Sequence, residues 1–135
     1  MIVVLDASTL ISAALKVNSI PERVLLRAVT EPDRLILSQD VEDEYREVIF
    51  RLKFDRYVSV ERRRLILDLV IVAAARVEPV ETVRACRDPK DDKYLSLVAA
   101  GRANVIVSSD GRHLLPMHPW RGISILSPSD YLALP

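Results

Sequence analysis

A chain of 135 residues, half of them hydrophobic, suffices for one α/β domain; its 19 Lys plus Arg against 19 Asp plus Glu leave no positive excess for a broad nucleic-acid grip. Only 5% is aromatic, so the core must be Val, Leu, Ile and Ala, and three glycines exclude a glycine-rich phosphate loop. A single cysteine, Cys86, excludes an intrachain disulfide and points to a reducing, cytoplasmic compartment.

The opening run Ile2-Val3-Val4-Leu5 reads as a strand buried on both faces of a parallel sheet, ended by Asp6. It lacks a basic leader, and the longest apolar run, Leu69 to Ala75, is far short of the ~20 residues that cross a bilayer. Leu10, Ile11, Ala13, Ala14 and Leu15 continue as a nearly all-buried helix, one of the apolar helices near the N-terminus that offer surface to a partner. Ser19 and Pro21 start a second helix carrying Val24, Leu25, Ala28 and Val29; Glu31-Pro32-Asp33 ends it.

Leu35-Ile36-Leu37 is the second strand, and Ser38 caps a helix predicted from Gln39 to about Lys53. Its apolar face is Val41, Tyr45, Val48, Ile49 and Leu52, with Glu44 on the same stripe and Glu42, Asp43 and Glu47 off it or at its margin. Ser59 starts a long helix to about Ala75. On it, Arg62-Arg63-Arg64 is either a solvated face or an RNA-phosphate patch. Val77 falls in a short third strand, closed by Glu78-Pro79.

Arg87-Asp88-Pro89-Lys90-Asp91-Asp92 is a turn leading into a helix from about Asp91 to Ala100, with Gly101 suited to its C′ position. Asp92 shares a face with Leu95 and Ala99. Asn104 to Val107 is the fourth strand, followed at once by Ser108-Ser109-Asp110. His113 to Leu115 form a short helix stopped by Pro116. Ile123-Ser124-Ile125 is a fifth strand, and Ser127-Pro128-Ser129-Asp130 is a helix-start signal for Tyr131 to Leu134. Strands alternating with helices predict a three-layer α/β/α domain over 1–135, around a parallel sheet of four or five strands.

Asp6 and Asp110 follow strands, Asp92 begins a helix and Glu44 lies in the second turn of a helix that follows a strand, all at the rim where such sheets bind ligands. Each acid alone has an ordinary explanation: Asp6 as a helix cap, Glu44 as a rim residue, Asp92 and Asp88 as acids at a helix start, Asp110 as a turn acid. Together they repel one another, and cations relieve the repulsion. Hard oxygen donors without a Cys or His cluster favour Mg²⁺ or Mn²⁺, suited to hydrolysing a phosphodiester.

At these residues the chain resembles the PIN domain family, in particular the toxins of toxin–antitoxin pairs. Leu5-Asp6-Ala7-Ser8-Thr9 is similar to the family's first acidic block, with Ser8 where Asn is commoner. Leu37-Ser38 through Glu44-Tyr45 resembles the second, Arg87 through Leu97 the third, and Val105 through Asp110 the fourth, with Ser108 at its Thr/Ser position. The resemblance implies a single-strand-specific endoribonuclease using Mg²⁺ or Mn²⁺, dimeric and paired with an antitoxin. It implies Asp6, Glu44, Asp92 and Asp110 as catalytic and metal-binding acids, supported by Ser8, Ser108 and Asp88. Asp88 and Asp91 compete with Asp92 for the third position, and Asp92 is preferred for its packed face.

A non-catalytic PIN-like module that only binds a protein is the rival. A receiver-like phosphoacceptor needs a lysine after a strand, which Lys90 and Lys93 do not supply. His113 and His118 lack a third zinc ligand; Ser38 and Ser108 lack a base for acyl transfer. Cys86 beside Arg87 is either activated or an inert thiol.

Overall fold

The computed structural model describes all 135 residues. Five strands form one all-parallel sheet: β1 (Ile2–Leu5), β2 (Arg34–Leu37), β3 (Ala75–Arg76), β4 (Val105–Val107) and β5 (Ser124–Leu126), in the order β3-β2-β1-β4-β5. Val3 lies opposite Leu35 on one side and Val105 on the other. Val3, Val4 and Leu5 are fully buried because helices cover both faces of the central strand, as a parallel sheet requires.

The helices are α1 (Ala7–Leu15), α2 (Ile20–Ala28), α3 (Gln39–Ile49), α4 (Val60–Ala73), α5 (Asp92–Gly101) and α6 (Pro128–Leu132). The α1 to α4 helices pack on one another with α6 against α2, whereas α5 packs on β1, β2 and β4, giving the expected three layers. The chain builds outward from β1 through β2 to β3, then crosses back to β4 and β5. Strand order therefore reverses between β1 and β4, and a crevice opens above their carboxyl ends. Asp6 ends one of these strands and Ser108 follows the other.

Five helices start where a side chain caps them: Asp6, Ser19, Ser38, Ser59 and Ser127 each accept from the backbone N–H three residues on. Several predicted boundaries shift. The α3 helix stops at Ile49, and a separate 3₁₀ turn, Leu52–Phe54, follows. Leu52 is thus 82% exposed rather than part of the apolar face. The third strand is Ala75–Arg76, ahead of Val77, although the Val77 N–H still donates to the Leu37 carbonyl at 3.0 Å. His113 precedes a 3₁₀ turn, Leu115–Met117, in place of the expected helix.

The residue in the left-handed conformation after α5 is Arg102, at φ 50°, not Gly101. Gly101 is needed for space instead: a Cβ there would stand 2.3 Å from Cδ1 of buried Ile36.

Only Arg64 of the Arg62-Arg63-Arg64 run lies on an exposed face; the other two arginines are engaged within the fold. Arg62 donates to the carbonyls of Ala13 and Ala14 and pairs with Glu22, joining α4 to α1 and α2. Arg63 is buried, donating to the carbonyls of Ile49 and Arg51 and to Asp55, so it fastens the end of α3. Arg64 stacks on Phe50. Glu42, expected at the margin of the stripe, is buried and held by Arg46 and Arg76. Asp33 is likewise buried; its carboxylate accepts from the Met1 ammonium and Arg27, each at 3.0 Å, and from the Tyr131 hydroxyl at 2.5 Å.

Candidate active site

Asp6 sits where β1 turns into α1, only 4% exposed. Its Oδ1 accepts from the Thr9 N–H at 2.9 Å, the Thr9 hydroxyl at 2.8 Å and the Ser8 hydroxyl at 2.7 Å. Its Oδ2 accepts from the Ser108 hydroxyl, and has capacity for a further partner. Burial pushes the Asp6 carboxyl above its ordinary value; the hydroxyls of Ser108, Ser8 and Thr9 pull it back without cancelling that rise. Asp6 is therefore both the cap of α1 and an acid held in one orientation.

Ser108, fully buried at the end of β4, carries that orientation onward: its Oγ also accepts from the Asp110 N–H at 3.0 Å. Asp110 in turn accepts from the Arg112 N–H at 2.8 Å. Glu44, in the second turn of α3, is half-buried and not turned into bulk solvent. Its Oε2 accepts from the Tyr94 hydroxyl at 3.0 Å and pairs with the Lys93 ammonium at 2.9 Å. Tyr94 also accepts from the Ala7 N–H at 2.9 Å, tying α3 to the start of α1. Burial, then the negative groups Glu44 and Asp6 among others, raise its phenol well above the ordinary range, so it remains a donor.

The structure separates the three acids that compete for the third position. Asp92 does not line the crevice: its Oδ1 accepts from the N–H groups of Ala85 at 3.1 Å and Cys86 at 2.7 Å, bracing the loop before α5. Of the face shared with Leu95 and Ala99 only Leu95 is buried; Asp92 is itself half-buried, and its carboxylate is taken up by the loop N–H groups. Asp88 caps the 3₁₀ turn Pro89–Asp91 by accepting from the Lys90 N–H at 3.0 Å. Asp91, at the end of that turn, is the one that enters the cavity. Burial, then the charges of Asp88, Glu44 and Asp6, push its carboxyl up from 3.8 to about 6.

Asp6, Glu44, Asp91 and Asp110 thus line one cavity of about 270 Å³, together with Ala7, Ser8, Ile11, Val48, Arg51, Lys53 and Tyr94. A neighbouring cleft of about 310 Å³, bordered by Ser38, Asp40, Glu78 and Lys93, contains none of the four acids. A family model described as the PIN domain matches residues 2–112, a span containing every one of these acids.

The chain belongs to the PIN domain family. No curated protein matches it. PIN domains are generally nucleases and typically use divalent metals.

The donors in this PIN domain fit such an ion by chemistry: all four are carboxylates, the hard oxygen ligands of Mg²⁺ or Mn²⁺. No three Asp, Glu, His or Cys side chains stand close enough together to hold a metal ion between them, so the match lies in the donor chemistry alone. Burial is the main cause of the raised Asp91 carboxyl, and the negative charges of Asp88, Glu44 and Asp6 add to it; a cation would offset that second part.

Sequence reasoning missed four residues of this PIN site. Tyr94 was hidden in a core stripe, and Thr9 in a helix start. Arg51 and Lys53 reach the cavity because α3 ends earlier than its pattern suggests. The remaining candidates are structural or inert. His118 Nδ1 accepts from the Ile125 N–H at 2.9 Å. His113 is half-buried, its Nδ1 without a partner. Burial pushes the Cys86 thiol up, so it is not activated.

Proposed function

We propose that this PIN domain is a Mg²⁺- or Mn²⁺-dependent endoribonuclease hydrolysing single-stranded RNA. The observation that carries the reading is the convergence of Asp6, Glu44, Asp91 and Asp110, from four separate segments, on one cavity where the strand order reverses. Such a site needs an approach for a phosphodiester, charge neutralisation and an oriented water. A divalent ion held by these carboxylates would supply Lewis acidity and lower the pKa of a water. The chain supplies the rest. Ser8, Thr9 and Ser108 fix both oxygens of Asp6, so its geometry costs nothing to organise during the reaction. Tyr94 holds Glu44 at the opposite wall, and Ser108 sets the backbone of Asp110.

The motif resemblance extends the proposal to a cytoplasmic toxin, a single domain over residues 1–135 that forms a homodimer and is held by a cognate antitoxin. Of the apolar helices near the N-terminus, α1 buries Leu10, Ile11, Ala13 and Ala14, while α2 leaves Ile20 and Leu26 exposed for such a partner; Leu65, Leu69 and Val72 on one face of α4 offer a second exposed apolar surface. No helix is long and apolar enough to cross a membrane.

The test is cleavage of single-stranded RNA with Mg²⁺ or Mn²⁺ by the wild-type protein and by Asp6→Asn. The variant should lose about 10²-fold or more of the rate, and equal cleavage by both would remove the assignment. A second reading, a non-catalytic binding module, draws on the Lys93–Glu44 ion pair, in which a lysine already neutralises one acid. Calorimetric titration with divalent ions separates the two: a working site takes up metal, and a decayed one does not.

A further inference from the structure

The acidic cavity has one wall that its acids do not explain. We propose that Lys53 and Arg51 form a phosphate subsite, which holds the RNA backbone one step from the cleaved bond; this rests on the nuclease reading above. Both residues line the same cavity as Asp6, Glu44, Asp91 and Asp110. They lie just past the end of α3, on Arg51 and the 3₁₀ turn Leu52–Phe54, where the carbonyls of Ile49 and Arg51 are fastened by buried Arg63. The turn is therefore anchored from beneath while its cations face outward.

Their bonding state suits an incoming anion. Lys53 makes no ion pair; its ammonium lies 5.2 Å from the Phe54 ring centroid, which keeps the side chain near the turn. Arg51 gives its Nε and Nη2 to Glu47, at 3.0 and 2.7 Å. A guanidinium has five N–H donors, so this pairing orients the fork and leaves three of them. Glu47 is a positioning residue in this arrangement. Ile11 and Val48 line the same cavity and give it some apolar surface.

The alternative employment for these cations is to neutralise the acids internally, as Lys93 does for Glu44. Arg51 and Lys53 pair with none of the four cavity acids. A cation that lines an acidic cavity without joining its acids is placed for a ligand that carries negative charge beyond the reacting group. An RNA strand meets that description: one phosphate sits over the acids, and its neighbour lies over the basic wall.

The experiment measures binding of short labelled oligouridylate and oligoadenylate by fluorescence anisotropy across a salt series, with Ca²⁺ as the divalent ion. Wild type, Lys53→Ala, Lys53→Arg and Lys16→Ala are compared. Lys16 is an exposed control at the far end of α1. Lys53→Ala should weaken both oligonucleotides by the same factor and flatten the slope of log affinity against log salt by about 0.7, the value of one lost phosphate contact on a single strand. Lys53→Arg should restore the slope, and Lys16→Ala should leave it unchanged. Cleavage with Mn²⁺ is recorded on the same samples. Wild-type cleavage together with an unchanged slope in Lys53→Ala overturns the subsite and leaves the nuclease reading standing. A wild-type protein that neither binds nor cleaves RNA overturns both. A slope change of the same size in Lys16→Ala also overturns the subsite, because it shows a diffuse contact.

Discussion

Replacing Asp91 with Asn should make the metal-free protein more stable and the working protein inactive. In the cavity the Asp91 carboxyl is pushed from 3.8 to about 6, first by burial and then by Asp88, Glu44 and Asp6. A carboxyl whose folded pKa is raised is penalised in its charged form. The penalty is absent below about 3.8, grows as the pH rises, and is complete above about 6. The raised value corresponds to at most ~3 kcal/mol. Asp91 is only half-buried, and solvent screening reduces the figure to about 1–2 kcal/mol.

Asn keeps the size and removes the charge, so Asp91→Asn should melt ~3–8 °C above wild type near neutral pH in a chelating buffer. The gap should close as the pH falls toward about 4, where wild-type Asp91 is itself protonated. Saturating Mg²⁺ or Mn²⁺ should reverse the order, raising wild type by ~2–3 kcal/mol and the variant by much less. Scanning calorimetry at several pH values, with and without divalent ion, reads all three effects. A variant that melts below wild type in chelator at neutral pH would refute the reasoning. So would a gap that does not change with pH, because the raised Asp91 carboxyl would then not be the source of the difference.

Asp92 should behave in the opposite way. Asp92→Asn retains the oxygen that accepts from Ala85 and Cys86, and should keep both stability and cleavage; Asp92→Ala should cost about 1–2 kcal/mol in thermal denaturation. A large loss of cleavage in Asp92→Asn with an unchanged melting curve would restore Asp92 to the catalytic set. Ser108→Ala removes a donor that holds the Asp6 carboxyl down against the effect of burial. The pKa of Asp6 should then rise, and the acid limb of the pH–rate profile should move to higher pH; a limb that stays in place or moves lower counts against Asp6 working as a carboxylate.

Much of this PIN domain was legible in its sequence. Unbroken runs such as Ile2 to Leu5 and Val105 to Val107 state a strand buried on both faces, and Ser19, Ser38, Ser59 and Ser127 state where helices start. These are local signals, set by side-chain periodicity and by the four unpaired N–H groups at a helix start. They gave the α/β order, a sheet of four or five strands and the placement of Asp6, Glu44 and Asp110 at one rim.

What local signals do not contain is the path of the chain between elements. Three acids of the same kind, Asp88, Asp91 and Asp92, follow within five residues, and only the tertiary structure assigned them. A 3₁₀ turn before α5 rotates Asp91 into the cavity, while the loop at Ala85 and Cys86 claims Asp92. The same holds for the arginines on α4: charge density suggested a surface, but Arg63 is buried because the carbonyls at the end of α3 needed donors. A helix pattern gives each residue a direction relative to its own axis. Which neighbour waits in that direction depends on segments far away in the chain, and so belongs to the folded molecule alone.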